Sequence, residues 1–268
     1  MMRKFIGAAI LAATLGTASS ASAFLFNENV TPDAIFGSGN ANGNFTVDRQ
    51  GGVELGLRAK IPFSGLIHSN GDGSYSYTLA EANPKWNFDW TINTDFDSNN
   101  PTGNKIDNFT YLLGIDFDPG IGTNFLVFDP VTPNTASNPA PLNVIEFYDH
   151  SIGDNSTPNG GGAEVPLSNP PTAAELLAAP GIYADLIANN NVLQQSWRHS
   201  FFPFHPTLTY DPTVKGIYDV TLAAFDGDGV QVAQTGIQVT VGIPEPSAVA
   251  LLGIGLIGFG WMRRRKTA

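Results

Sequence analysis

Carboxylates, histidines and tryptophans are the side chains here that could carry chemistry, and their spacing limits what kind. Asp95-x-Asp97-x-Asn99 opens like a calcium loop, in which alternate oxygen-bearing side chains face a hard cation. An EF-type loop then needs Gly at its sixth position and Glu at its twelfth, where Asn100 and Ile106 stand. The segment therefore reads first as a polar turn, with an irregular calcium site from Asp95, Asp97 and Asp107 as the alternative. Asp226 and Asp228 read as hairpin-turn residues, and Asp116 and Asp118 flank a strand end. Two facing acids could hydrolyse a glycosidic bond, but with 23 acids between Phe24 and Gly242 no pair is nominated by proximity in sequence. His68, His150, His199 and His205 are scattered, and the aromatic stretch Trp197–His205 reads as core rather than as a cleft lining.

Other chemistries lack their residues. The chain has no cysteine, which excludes thiol catalysis and thiolate metal sites. It contains no Gly-x-Ser-x-Gly, no His-Glu-x-x-His, no phosphate-cradling loop and no dinucleotide fingerprint. Asn155-Ser-Thr157 has the form of a glycosylation acceptor. The expectation is a protein without catalytic residues, metal or cofactor.

The charge is set by the middle of the chain. The formal net charge is −11, but residues 24–242 carry 23 acids against 7 bases, a balance of −16. Such a surface repels nucleic acid and anionic headgroups and favours solubility. The 29 glycines and 19 prolines speak for turns, and the 18 phenylalanines speak against disorder.

The elements that must position these residues are strands. Val53, Leu55, Leu57, Ala59 and Ile61 alternate with Glu54, Arg58 and Lys60. Trp86, Phe88, Trp90 and Ile92 alternate with polar residues, and Phe109–Phe117 and Tyr75–Leu79 repeat the pattern. Each predicts a strand with one buried and one wet face. Tyr218–Ala224, the turn Asp226-Gly-Asp-Gly229 and Val230–Val241 predict a closing hairpin. Its apolar phase slips by one, which predicts a bulge near Thr235-Gly236. The region 153–197 reads as an insertion. Thr172-Ala-Ala-Glu175 is a capping box for a short helix over Ala173–Ala179 that Pro180-Gly181 stops, with further helical turns over Ile182–Asn189 and Val192–Trp197. The fold class is all-β: an antiparallel sandwich of eight to ten strands over about residues 24–242, with a helical insertion. The final hairpin resembles those of immunoglobulin-like and PKD-like surface domains; a jelly roll is the other form considered.

The two ends are of another kind. Arg3-Lys4, an apolar run and Ala21-Ser22-Ala23 make a signal peptide, with signal peptidase cutting between Ala23 and Phe24. At the other end, Pro244-Glu245-Pro246 precedes an uncharged run, Ser247–Met262, and then Arg263, Arg264, Arg265 and Lys266. As a helix the run is about 24 Å long, short for a bilayer core of about 30 Å. The basic cluster predicts a cytoplasmic C-terminus with the body outside. The prolines keep the segment before the span extended.

These parts, in that order, resemble the PEP-CTERM sorting signal of Gram-negative bacteria. The resemblance implies recognition by an exosortase, a membrane-embedded cysteine transpeptidase or protease, and removal of the tail. It also implies a cell that makes extracellular polysaccharide. The body, with Trp86-Asn-Phe-Asp-Trp90 and Gly114-Ile-Asp-Phe-Asp-Pro119, resembles an uncharacterised domain of some PEP-CTERM proteins and brings no activity with it. The expected partners are signal peptidase, exosortase, the membrane before processing and extracellular polysaccharide, but not nucleic acid. A surface or matrix protein is the leading reading. A carbohydrate-binding module, which would expose Trp86, Trp90 or Trp197, and a hydrolase with two facing acids are the alternatives.

Overall fold

A computed structural model describes residues 24–82, 86–132, 145–202 and 214–243. Eleven strands are described: β1 (Leu25–Glu28), β2 (Phe45–Gln50), β3 (Val53–Lys60), β4 (Ser74–Tyr77), β5 (Asn87–Asn93), β6 (Thr110–Asp116), β7 (Phe125–Phe128), β8 (Ser151–Gly153), β9 (Val192–Arg198), β10 (Gly216–Phe225) and β11 (Gln231–Val241). Three helices accompany them: α1 (Leu79–Ala82), α2 (Ile145–Tyr148) and α3 (Ala173–Asn189). One sheet has the order β1-β2-β3-β5-β9-β8 and the other β4-β11-β10-β6-β7. The predicted alternation explains their packing. Leu55, Leu57, Phe88 and Trp90 of the first sheet and Leu113, Leu222 and Val239 of the second share one buried cluster. The chain is thus an all-β sandwich with few helices. It is not antiparallel throughout, because β4 pairs with β11 in parallel, Val239 opposite Tyr75.

The first sheet has no wet face along β3 and β5: all eight residues of one and all seven of the other are buried. The reason is a strap, residues 30–43, laid over the outer face. It is tied down by polar groups that alternation alone assigns to solvent. Arg58 donates to the Ala41 and Gly43 carbonyls at 2.7 and 2.8 Å and pairs with Asp89 at 2.8 Å. Lys60 Nζ reaches Asp89 at 3.0 Å and Asn40 Oδ1 at 2.8 Å. Gln194 accepts from Ile35 N and donates to Asp33 O. Gly56 makes the close approach feasible, since a Cβ there would stand 2.9 Å from Val30 Cγ1 and 2.5 Å from Thr91 Cγ2. The loop after β8 backs the strap, with Gly160 and Gly162 donating to Ala34 and Ile35 carbonyls.

Three local expectations change. The bulge in β11 lies at Val232, where Ala224 faces Ala233 and Phe225 faces Gln231, and not at Thr235-Gly236. Thr235 is itself a core residue, fully buried, and its hydroxyl donates to Thr46 O at 2.9 Å, so a hydroxyl carries the inward phase. Helix α3 begins on the predicted box, with Thr172 N donating to Glu175 Oε2 at 2.6 Å, but runs through Pro180 to Asn189. Its hold on the body is Tyr183, buried, whose hydroxyl donates to Val131 O at 2.7 Å. Val192–Trp197 is strand, not helix: β9 lies between β5 and β8, with Trp197 opposite Phe88. The region 153–197 is therefore no simple insertion, since its end is an inner strand of the sheet.

Candidate functional site

The acids of the loop after β5 are structural. Asp95 accepts from Thr102 N and Oγ1 through Oδ1 and from Gly103 N through Oδ2, closing the loop on itself. Asp97 accepts from Asn99 N in a local turn, and Asp107 lies on the separate 3-10 turn Ile106–Asn108. Among the described residues no three His, Asp or Glu gather as a metal site requires. Asp226 accepts from Asp228 N and Val230 N, as its turn demands. The Asn155 amide donates to Asp95 O and accepts from Asn93 and Asn191, so it stitches loops together.

The histidines divide into two buried, one exposed and one, His205, outside the described residues. His150 lies among Trp90, Phe147, Trp197 and Tyr183, its Nδ1 3.0 Å from Tyr183 Oη. That hydroxyl already donates to Val131 O, so Nδ1 carries the proton and donates. Burial pushes its pKa down to about 3. His199 stacks on Trp86 with ring centroids 4.7 Å apart, and its Nε2 donates to Asp116 O at 2.8 Å. Burial pushes it down to about 4, against the opposing effect of that carbonyl. Both rings are neutral core residues. Trp86, Trp90 and Trp197 are also buried, each at most 4% exposed, so none offers a face on which a sugar could stack.

Among the grooves on the described surface are two that hold ionisable side chains. One, of about 440 Å³, is lined by Phe24, Phe26, Asp72, Phe125, Asp219 and Ile237 among others. Phe24, where the mature chain is expected to begin, is half-exposed there. The carboxyls raised by burial, those of Glu54, Asp116, Asp129 and Glu164, line neither groove. Glu54 is bound by Arg49 and Thr31, and Asp116 by Asn124 N and Asp118 N.

The second groove, of about 550 Å³, lies where the chain leaves the fold and is lined by His68, Tyr77, Leu79, Glu81, Lys215 and Ile243 among others. Strand β11 stays paired with β4 to its last residue, Val241 opposite Tyr77, and Gly242 N donates to Tyr77 O at 2.7 Å. Gly242 has φ 67°, the left-handed turn that ends the strand. Glu81 caps α1 by accepting from Thr78 N and Oγ1, and these bonds hold its carboxyl below the usual range. His68 Nε2 lies 3.7 Å from it. His68, Glu81 and Lys215 are far apart in sequence, and no spacing announced their meeting.

Ala21, Ala23, Pro244, Glu245, Pro246, Arg263, Arg264, Arg265, Lys266 and the span 247–262 lie outside the described residues. Among those described, no helix is long and apolar enough to cross a membrane. Residues 242–265 match the family described as the PEP-CTERM protein-sorting motif. The chain carries that motif, which marks an exported protein for sorting by an exosortase. The motif's first two residues, Gly242 and Ile243, belong to the folded body. No curated protein and no solved structure matches the chain.

Proposed function

We propose that this is a non-enzymatic surface or matrix protein, delivered by its two ends and released or retained through exosortase processing. The PEP-CTERM motif at 242–265 carries this reading. Signal peptidase removes residues 1–23 after Ala23. The Ser247–Met262 span then holds the body outside the inner membrane, with Arg263–Lys266 in the cytoplasm. Exosortase grips the Pro244-Glu245-Pro246 segment and removes the tail. The body, with its balance of −16, is suited to a hydrated matrix of extracellular polysaccharide.

The absence of an activity is part of the proposal. It is supported by the duties already held by the candidate groups: Asp95 and Asp97 order a loop, and Glu54 and Asp116 hold the fold. Burial of Trp86, Trp90 and Trp197 weakens the carbohydrate-module alternative. Mass spectrometry of the protein recovered outside the cell tests the processing. The expected species starts at Phe24 and lacks Arg263–Ala268; an intact tail on the released protein would sink the reading. A glycan array probed with the mature body separates a matrix component from a sugar-specific binder.

A further inference from the structure

We propose that, before processing, the exit end of the sandwich lies directly against the phospholipid bilayer, with the tips of two loops, Phe63 and Ile121, in the headgroup layer. This inference rests on the reading of Ser247–Met262 as a membrane span. Ile243 is the last described residue, and only Pro244, Glu245 and Pro246 separate it from the uncharged run. Three residues reach about 11 Å when fully extended. The headgroup layer on one side of a bilayer is about 5–7 Å deep. The body cannot stand off the membrane, so some face of it meets lipid.

The topology says which face. The β11 strand delivers the chain at Val241, beside Gly216 at the start of β10. The β6–β7 loop lies at this end, because β6 runs antiparallel to β10 with Ile115 opposite Val220, and Ile217 N donates to Pro119 O. The loop after β3 also lies there. Tyr75, opposite Val239, reaches Asn44 O just before β2, and β3 returns past that point with Leu57 opposite Thr46. That loop leads through Leu66 to His68, which lines the exit groove with Ile243.

Among the described residues, Phe63 and Ile121 are the two large apolar side chains with the full exposure of an unfolded chain, at 104% and 101%. Each is on one of these two loops. Leu66, Val214 and Ile243, at 41%, 39% and 37%, stand at the same end. Phe63 also has φ 63°, a conformation unfavourable for a bulky side chain, held by Ile61 N donating to Leu66 O and Ser64 Oγ donating to Ile61 O. An aromatic ring so presented suits the interfacial zone, where such rings anchor.

The absence of cysteine makes the test direct. Full-length precursors carrying F63C, I121C or D228C are labelled with bimane and reconstituted in phosphatidylethanolamine–phosphatidylglycerol vesicles doped with a headgroup-nitroxide lipid. Asp228 is in the turn before β11, about 35 Å up the strand from the exit. The labels at 63 and 121 should shift to the blue and lose fluorescence to the nitroxide, while the label at 228 keeps its emission. If the precursor resists carbonate extraction yet the three labels behave alike, the inference is overturned and the anchoring reading stands. A precursor that washes off the vesicles overturns both.

Discussion

Two buried histidines give the body an acid sensitivity that its carboxylates alone would not. Each ring has a lower pKa folded than unfolded, about 3 for His150 and about 4 for His199 against 6.5. The unfolded chain therefore takes up the protons first. Stability is full above about pH 6.5 and falls as the pH drops towards 4. At pH 5 each histidine withdraws about 2 kcal/mol. The carboxyls of Glu54 and Asp116, raised by burial, act in the opposite sense, since their burial becomes easier as they protonate. A comparison of the native chain with H150F cancels that share: urea unfolding at pH 7.5 and pH 5 should show a drop about 2 kcal/mol smaller in the variant. The other residue-scale feature is the Arg58–Asp89–Lys60 cluster. Burial lowers the Lys60 ammonium pKa while Asp89 opposes it. Replacing Asp89 by Asn leaves two buried cations facing carbonyls, amides and the rings of Phe45 and Phe36 but no carboxylate, and D89N should lose about 3–5 kcal/mol in urea unfolding.

At the scale of elements, α3 shows a local rule overridden. Pro180 lacks the N–H that would bond Leu176 O, and its ring crowds the preceding turn. The helix persists because the Thr172–Glu175 box fastens its start and because Ala179 and Tyr183 bury one face against the sandwich. Glu175 is held down to about 2 by bonds from Thr172 and Ser168, a sign of how well that start is capped. P180A should raise stability, by about 1–3 kcal/mol in urea unfolding, since it restores a donor without touching the buried face. A drop would mean that the proline ring itself packs. Strand β9 makes a similar point. Leu-Gln-Gln-Ser-Trp has little alternation, yet Gln194 binds the strap and Gln195 donates to Asp149 O and Oδ1, so glutamines perform the outward and flanking duties there.

For the whole molecule, the position of the sorting motif matters most. β11 is held by β10 on one side and β4 on the other as far as Val241, so its register is set without the residues beyond Ile243. Removal of the tail should leave the body's urea midpoint unchanged from that of the precursor in detergent. A lower midpoint after processing would mean that the tail contributes to the fold. The exit groove and the two apolar loop tips cluster at the same end, so the anchoring and release proposed above would both bear on one pole of the sandwich. On that proposal the opposite pole, at the Asp226–Val230 turn, would face away from the membrane.

The sorting signal was legible in the chain because it is linear: short runs of proline, apolarity and charge read one residue at a time. The main strands β3, β5, β6, β10 and β11 were legible for a related reason, since a period of two is a local property. What lay beyond the sequence was decided by contact between distant segments. Whether β3 has a wet face at all depends on a strap from residues 30–43. Whether Thr235 is core depends on Thr46, and whether β9 is helix or strand depends on β5 and β8. The grouping of Phe63, Ile121 and Ile243 at one pole exists only once β3, β6 and β11 are aligned, because no spacing along a chain encodes which ends of strands come to rest together.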